Sequence, residues 1–310
     1  MKPEIIVRVQ FPSVGIKLLE ENFIVHYAPS PDAFEAAIDA HPETRALVTN
    51  GSIGVTGEQL RRLSKLEMVV TQGVGFENVD MATVKDMGLV LTTGKGTNGF
   101  SVADHAMALL LAAARNLLWA DKRVREGLWV DSRGPRALAY QKRLGILGLG
   151  EIGLQIAQRA EGFEMDVRYH NRNRRDDVSY PYRDGALELA EDSDFLLIAM
   201  PGGPGTKGLV GAEVLEALGP KGFLINIGRG TIVDTDALIA ALHEGKIAGA
   251  ALDVVAGEPH VSPELLAAPN LILTPHMASR SPESVAEAMN RISNNLVAHF
   301  AGGELVSRVA

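Results

Sequence analysis

The sequence predicts an α/β protein of two domains, each built on a parallel sheet, and three observations carry that expectation. Short β-branched runs alternate with longer amphipathic stretches, which is the pattern of repeated strand–helix–strand units. The series breaks at a glycine-rich segment, "GKGTNG", and starts again at residue 143. A chain of 310 residues exceeds what one ordinary core serves, because chains divide into domains of about 100 to 200 residues.

In chain order, the first strand candidates are "EIIVRV" (4–9), "FIVHY" (23–27), "ALVT" (46–49), "MVVT" (68–71) and "LVLTT" (89–93). After the break, "SVADHAMALLLAAARNLL" (101–118) reads as one helix, with Ser101 and Asp104 at capping-box spacing. It is apolar on more than one face, so it should be covered on several sides, at a domain junction or a homodimer contact. The second series is "RLGIL" (from 143), "DVRYH" (166–170), "DFLLIAM" (194–200), "GFLINI" (222–227), "IAGAALDVV" (247–255) and "NLILT" (270–274). A last apolar-periodic stretch, 283–300, has no strand after it and is expected to cross back onto the first domain.

Composition narrows the function. The chain is 46% hydrophobic and 22% charged, with a net charge of −8. Its acidic pI of about 5.5 argues against a general nucleic-acid binder, which needs a basic face. The absence of cysteine excludes disulfides and thiol chemistry and fits a reducing, cytoplasmic setting. The apolar patch near the N-terminus is interrupted by Arg8 and is too short for a signal or a membrane span. No metal is expected: there is no thiolate ligand, and the eight histidines include no close pair at ligand spacing.

The strongest local motif is "LGILGLGEIGLQIAQRA", where Gly148, Gly150 and Gly153 follow a predicted strand and open a predicted helix. The first glycine allows the tight turn, the second lets a pyrophosphate approach the backbone, and the third lets helix and strand pack closely. Phosphate charge then meets the positive end of the helix dipole. This is the fingerprint of a Rossmann-type dinucleotide-binding unit.

In such a unit an acidic residue about 20 positions further on accepts hydrogen bonds from the adenosine ribose, whereas arginine accommodates a 2′-phosphate. That place reads Asn171-Arg172-Asn173-Arg174-Arg175, without a carboxylate. Guanidinium groups fork onto phosphate oxygens. The turn therefore points to NADP (NADPH), with Arg172 as principal phosphate contact and Arg175 or Arg174 as the second. The competing reading is a solvated, charged turn.

Three chemically apt residues fall in loops after later strands: Arg229 in "NIGRG", Glu258 in "AGEP" and His276 in "TPHMAS". Reducing a 2-keto acid by hydride needs a cation to hold the carboxylate and polarise the carbonyl, and an acid to protonate the developing alkoxide. Arg229 and His276 suit those needs, and a carboxylate beside the histidine, Glu258, would stabilise imidazolium. Taken singly, Arg229 also reads as an interdomain salt-bridge partner, His276 as a cap, and Glu258 as a turn former.

Over essentially its whole length the chain resembles the D-isomer-specific 2-hydroxyacid dehydrogenases. The likeness rests on "TQGVGFENVD", "SVADHAMALLLAAARN", "LGILGLGEIG", "NIGRGTIVDTDAL", "GAALDVVAGEP" and "LTPHMAS", in that order. The resemblance implies His276 as acid/base, Glu258 as its partner and Arg229 as substrate holder. It implies a discontinuous, flavodoxin-like substrate domain (1–97 and 285–310), a Rossmann domain (98–284), and substrate in the cleft between them. The substrate carboxylate would lie on the amides of Val74 and Gly75, near Asn50 and Gly51. Thr97, Met200, Pro201, Thr206, Ile227 and Asp253 would line the cofactor, with Asp253 facing the carboxamide, alongside Glu151, Ile152 and Asn171 of the dinucleotide unit. For Asp253 the alternative is a simple cap.

Two departures stand out. Many relatives carry "PLT" where this chain has "MPGGPGT", and Arg280 stands where a small residue is usual; it would meet either a polar substrate tail or a dimer partner. Formate dehydrogenases place glutamine where this chain has Glu258, which argues against formate. The arginine turn points to NADPH-dependent reductases of glyoxylate and hydroxypyruvate, or to 2-ketogluconate reductases. The family fold also serves dinucleotide-sensing binding proteins, a reading that the full catalytic set disfavours. A small 2-keto or 2-hydroxy acid is thus the expected partner, without nucleic acid or membrane.

Overall fold

The computed structural model describes residues 2–310. It divides into two compact units, Met1–Asn98 with Ser281–Ala310, and Gly99–Arg280. The first holds β1 (Glu4–Val7), α1 (Ser13–Glu20), β2 (Ile24–Tyr27), α2 (Pro31–Ala40), β3 (Ala46–Thr49), α3 (Gly57–Arg62), β4 (Met68–Thr71), α4 (Met81–Asp86) and β5 (Val90–Thr92). The second runs α5 (Gly99–Arg115), α6 (Leu117–Arg125), β6 (Arg143–Leu147), α7 (Glu151–Glu161), β7 (Asp166–His170), α8 (Ala186–Glu191), β8 (Phe195–Ile198), α9 (Ala212–Leu218), β9 (Phe223–Asn226), α10 (Thr235–His243), β10 (Gly249–Leu252), α11 (Pro263–Leu266) and β11 (Leu271–Leu273). The C-terminal helix α12 (Pro282–Ala301) belongs to the first unit.

The first sheet is wholly parallel in the order β2-β1-β3-β4-β5, the flavodoxin-like arrangement. Strands buried on both faces read as continuous apolar runs, which is why "ALVT" and "MVVT" are legible without alternation. One face, carrying Ile5, Val7, Val48 and Met68, packs on Leu19 of α1 and on Met289, Ile292 and Leu296 of α12. The other, carrying Ile6, Leu47, Val69 and Leu91, packs on Phe34 and Ile38 of α2 and Leu60 of α3. Helix starts are set locally: Thr56 and Gln59 form a capping box at α3, and Ser30, Asp80 and Ser281 each accept a backbone N–H at α2, α4 and α12.

The second sheet is also parallel, ordered β11-β10-β9-β8-β6-β7. An isolated parallel bridge between Tyr169 and Tyr182 extends it beyond β7. With that bridge counted as a minimal third strand, the order becomes that of the doubly wound dinucleotide fold, whose direction reverses between β6 and β8. Helices α5 and α7 cover one face, and α8, α9 and α10 cover the other.

Several sequence expectations change in detail. The helix foreseen over 101–118 begins at Gly99 and stops at Arg115, where Asn116 turns left-handed (φ 51°) and α6 starts anew. The Ser101–Asp104 capping box does not form, since both residues lie inside the helix. Ser101 Oγ donates to the Ala278 carbonyl (2.6 Å) and Asp104 accepts from Arg159 (2.6 Å). The several apolar faces of α5 are explained within its own unit, where Val102, Ala106 and Leu110 pack in the core shared with α7 and the sheet. The strand foreseen over 247–255 shrinks to Gly249–Leu252, because Asp253 onward turns away to build a loop. Among the described residues, no helix is long and apolar enough to cross a membrane.

Candidate active site

Within the second unit the carboxyl ends of β6, β8, β9, β10 and β11 share one edge of the sheet, where open α/β folds bind ligands. Gly148 follows β6 at φ 101°, and a Cβ there would lie 2.7 Å from the Met200 nitrogen. A Cβ on Gly153 would lie 2.2 Å from the Gly148 carbonyl, so the third glycine lets α7 press on the turn. Gly150 has open space where its Cβ would stand, and as the residue before α7 it leaves the helix start without a side-chain cap. The unsatisfied first-turn N–H groups and the dipole of this 11-residue helix thus face open space, a cradle suited to a pyrophosphate. Glu151 opens the helix in an exposed position, and Ile152 packs against the core behind it.

The structure sorts the arginine-rich turn into braces and open cations. Asn171 Oδ1 accepts from the Leu149 nitrogen (2.6 Å), and Arg175 Nη1 donates to the Leu149 carbonyl (2.9 Å), so both tie the turn to the glycine loop. Arg175 is further paired with Asp177 through Nε (2.9 Å) and Nη2 (2.5 Å). Arg168 lies in β7 and is occupied by Asp166 and Asp192. Arg172 and Arg174 are exposed and, among the described residues, make no hydrogen bond or ion pair.

Arg229 sits directly after β9 in a loop shaped by a residue that sequence reasoning missed. Asn226, fully buried, accepts from the Gly228 nitrogen (3.0 Å) and donates to the Arg229 carbonyl (3.0 Å). Gly230 is needed because a Cβ would fall 1.9 Å from the Val255 carbonyl carbon, where the β9 and β10 loops touch. Met200 and Ile227 follow β8 and β9 at the same edge; Thr206 donates to the carbonyls of Pro201 (3.2 Å) and Gly203 (3.3 Å), which closes the 201–206 loop on itself.

His276 and Glu258 are brought together. His276 Nδ1 lies 2.7 Å from Glu258 Oε1, and both side chains remain about one-third exposed (37% and 31%). An ionised carboxylate only accepts, so Nδ1 carries the proton and Nε2 is left to give or take one. His276 itself is left-handed (φ 50°), a conformation that persists only when neighbours over-determine it. Here they do. The His276 nitrogen donates to the Asp253 carbonyl (2.9 Å), and the Asp253 carboxylate accepts from Thr274 Oγ1 (2.6 Å), Met277 N (2.9 Å) and Ala278 N (2.9 Å). From α5, His105 Nε2 reaches Thr274 Oγ1 (3.0 Å) and lies 3.4 Å from Asp253 Oδ1.

Asp253 is therefore the bracket of the loop that carries His276, whatever else it contacts. Burial works to raise its pKa, but the hydrogen bonds from His105, Thr274 and the Met277 and Ala278 amides outweigh that and hold the carboxyl at about 2. A carboxyl depressed from its unfolded value of about 3.9 contributes roughly 2 kcal/mol that is present above about pH 4 and lost as pH falls toward 2. Asp253→Asn should lose that contribution near neutral pH and show a flatter acid-unfolding curve between about pH 4 and 2. Circular dichroism against pH checks this; a wild-type curve would release Asp253 from the role. His105, Thr274 and Asn226 were visible in the sequence only as polar residues inside apolar runs.

Asn50, Gly51, Val74, Gly75 and Thr97 lie in the first unit, in loops that follow its strands, whereas Arg280 ends the second. Asn50 and Gly51 follow β3, and Asn50 Oδ1 accepts from the Ile53 nitrogen (2.7 Å). A Cβ on Gly51 would fall 2.5 Å from the Gly75 carbonyl, so this loop touches the one after β4 that presents the exposed Val74. Thr97 is buried and donates to the Gly94 carbonyl (2.7 Å). Arg280 is exposed, four residues beyond His276.

A doubly wound dinucleotide fold whose ligand edge carries an arginine and a buttressed histidine–carboxylate pair defines a class, that of the nicotinamide-dependent oxidoreductases. Comparison with known proteins makes this specific. Residues 107–278 match the model of the D-isomer specific 2-hydroxyacid dehydrogenase, NAD binding domain. A hydroxyphenylpyruvate reductase of Plectranthus scutellarioides is 40% identical over 266 residues, 86% of this chain and 85% of that protein. A glyoxylate/hydroxypyruvate reductase A of Arabidopsis thaliana is 38% identical over 294 residues, 94% of each. The crystal structure of an NADPH-dependent glyoxylate/hydroxypyruvate reductase from Sinorhizobium meliloti, in complex with NADP and malonate, superposes with a TM-score of 0.93 at 35% identity, covering 100% of this chain and 97% of that one. The chain belongs to the D-isomer-specific 2-hydroxyacid dehydrogenase family.

Proposed function

We propose that the protein reduces a small 2-keto acid of the glyoxylate or hydroxypyruvate class to the D-2-hydroxy acid, using NADPH. The observation that carries this reading is the 2.7 Å His276–Glu258 pair at the same sheet edge as the uncapped start of α7. The unit Gly99–Arg280 has the features to hold the dinucleotide: Gly148, Gly150 and Gly153 for the pyrophosphate, and Arg172, supported by Arg174, for the 2′-phosphate. When bound, the nicotinamide supplies hydride to the carbonyl carbon of the substrate. Arg229 holds the substrate carboxylate and polarises the carbonyl. His276 Nε2 gives its proton to the developing alkoxide oxygen, and Glu258 keeps the ring in the tautomer and orientation that this transfer needs.

The NADP complex of the Sinorhizobium relative and the hydroxypyruvate-reducing Arabidopsis relative support the cofactor and the substrate class. The test is absorbance at equal NADPH and NADH with glyoxylate, hydroxypyruvate, hydroxyphenylpyruvate and 2-ketogluconate. Turnover with NADPH preferred is the expected result. Preference for NADH would return the arginines to a solvated turn, and cofactor binding without turnover would favour a dinucleotide-sensing protein. The cysteine-free composition and an NADPH-driven reduction fit the cytoplasm, where cell fractionation should find the protein.

A homodimer completes this reading. Helix α6 has no buried residue, and Leu117, Leu118, Trp129, Val130, Leu138 and Tyr140 are all at least half exposed, with Trp129 and Val130 at 64% and 74%. So much apolar surface on one segment marks an association site. Light scattering should return twice the 33.1 kDa chain mass, and a monomeric mass would remove the dimer.

A further inference from the structure

The first unit brings together three side chains that the proposed reaction does not use. Glu4 opens β1, His26 lies in β2, and His41 follows α2. Parallel pairing sets Glu4 opposite Ile24 and Ile6 opposite His26, so Glu4 and His26 are diagonal neighbours across adjacent strands. Glu4 Oε2 lies 2.9 Å from His26 Nε2 and 3.6 Å from His41 Nδ1, and the three donor atoms all fall within 4.8 Å of one another. The two imidazoles are stacked, with centroids 3.5 Å apart and planes 15° from parallel.

His26 and Glu4 are hydrogen-bonded, and the three donor atoms also fall near the spacing of ligands around one ion. Donors bound tetrahedrally at about 2.0–2.1 Å sit roughly 3.4 Å from one another, and 2.9 and 3.6 Å bracket that value. One carboxylate oxygen serves both rings, and His41 Nδ1, at 3.6 Å, is beyond hydrogen-bond reach of it. Two imidazole nitrogens and a carboxylate oxygen make a donor set for Zn²⁺ and its neighbours rather than for Ca²⁺ or Mg²⁺. Partial exposure (17% for His26, 37% for His41, 41% for Glu4) admits water as a fourth ligand.

We propose that Glu4, His26 and His41 form a binding site for a divalent transition-metal ion of the Zn²⁺ type, separate from the hydride-transfer chemistry. Binding would break the His26–Glu4 hydrogen bond and swing the two rings out of their stack, so that both lone pairs meet one centre. The ion would tie the start of β1 to the edge strand β2 and to the end of α2, and so stabilise this corner of the unit. The expectation of no metal rested on the absence of histidines close in sequence. His26 and His41 are fifteen positions apart; the parallel pairing of β1 and β2 sets His26 beside Glu4, and the end of α2 brings His41 to them.

The test is titration of the full chain, freed of metal by chelator, with Zn²⁺ by calorimetry and with Co²⁺ by visible absorption. One equivalent per chain, an intense low-symmetry cobalt band and a Zn²⁺-dependent rise in melting temperature are expected. His26→Ala and His41→Gln should each weaken binding by at least the roughly 10–100-fold typical of losing even an outer-shell partner, and should abolish the thermal shift. His41 is partly exposed, so His41→Gln tests the site without endangering the fold. Binding should survive His276→Ala. No saturable binding by the wild type, equal binding by wild type and both site variants, or loss of binding in His276→Ala would each overturn the proposal.

Discussion

His276→Ala is expected to lower kcat by about 10²- to 10⁴-fold while leaving NADPH affinity within about twofold, because general acid catalysis is lost and the dinucleotide site is not. The reasoning is geometric. Glu258 lies against Nδ1 at 2.7 Å, so the only proton that this ring can pass to the alkoxide is the one on Nε2. Glu258→Gln should act in the same direction and less strongly, since an amide still accepts from Nδ1 but no longer stabilises the charged ring. Arg229→Ala has a different signature: it should raise KM for the keto acid as well as slow turnover, because substrate carboxylate and transition state both lose the cation. Stopped-flow and steady-state measurements of cofactor absorbance separate these outcomes. Turnover by His276→Ala within about threefold of wild type would remove the residue from the mechanism.

Arg172→Asp should raise KM for NADPH by about 10- to 100-fold and leave KM for NADH nearly unchanged. A charge-assisted hydrogen bond is worth roughly 1.5–3 kcal/mol, and the new carboxylate adds repulsion toward a 2′-phosphate. Arg172 is the residue to change because it is exposed and makes no hydrogen bond or ion pair within the described residues, so its loss leaves no broken brace behind. Arg175→Asp is the instructive contrast. Three of its donor groups are engaged with Asp177 and Leu149, so that change should disturb the glycine loop and weaken both cofactors together. Equal preference for the two cofactors in wild type and Arg172→Asp would dismiss the phosphate reading of the turn.

Much of the fold was legible because parallel strands buried on both faces leave an apolar trace that survives without context. Strands β3, β4, β6 and β7 lie where the β-branched runs put them. The misjudged elements are those whose limits are decided from outside the element. The helix α5 runs through Ser101 rather than starting there, because the Ser101 hydroxyl is drawn to Ala278, 177 positions away. Strand β10 stops at Leu252 because the Asp253 carboxylate is taken by amides of the loop at Met277 and Ala278.

The candidate site divides along the same line. By itself the sequence determined the chemistry available: the glycine spacing that opens α7, the cationic turn without a carboxylate, and the arginine, glutamate and histidine that follow successive strands. Glycine conformation and residue charge are local properties, so they are readable in one dimension. Only the tertiary structure decided which groups are free to act. It spent Asn171 and Arg175 on bracing Leu149 and left Arg172 and Arg174 open. It placed His105 of α5 behind Asp253 and Thr274 to hold the His276 loop, and stacked His26 on His41 beside Glu4. Those contacts join residues between 15 and 169 positions apart, and their geometry exists only once parallel strands fix where each loop emerges from the sheet.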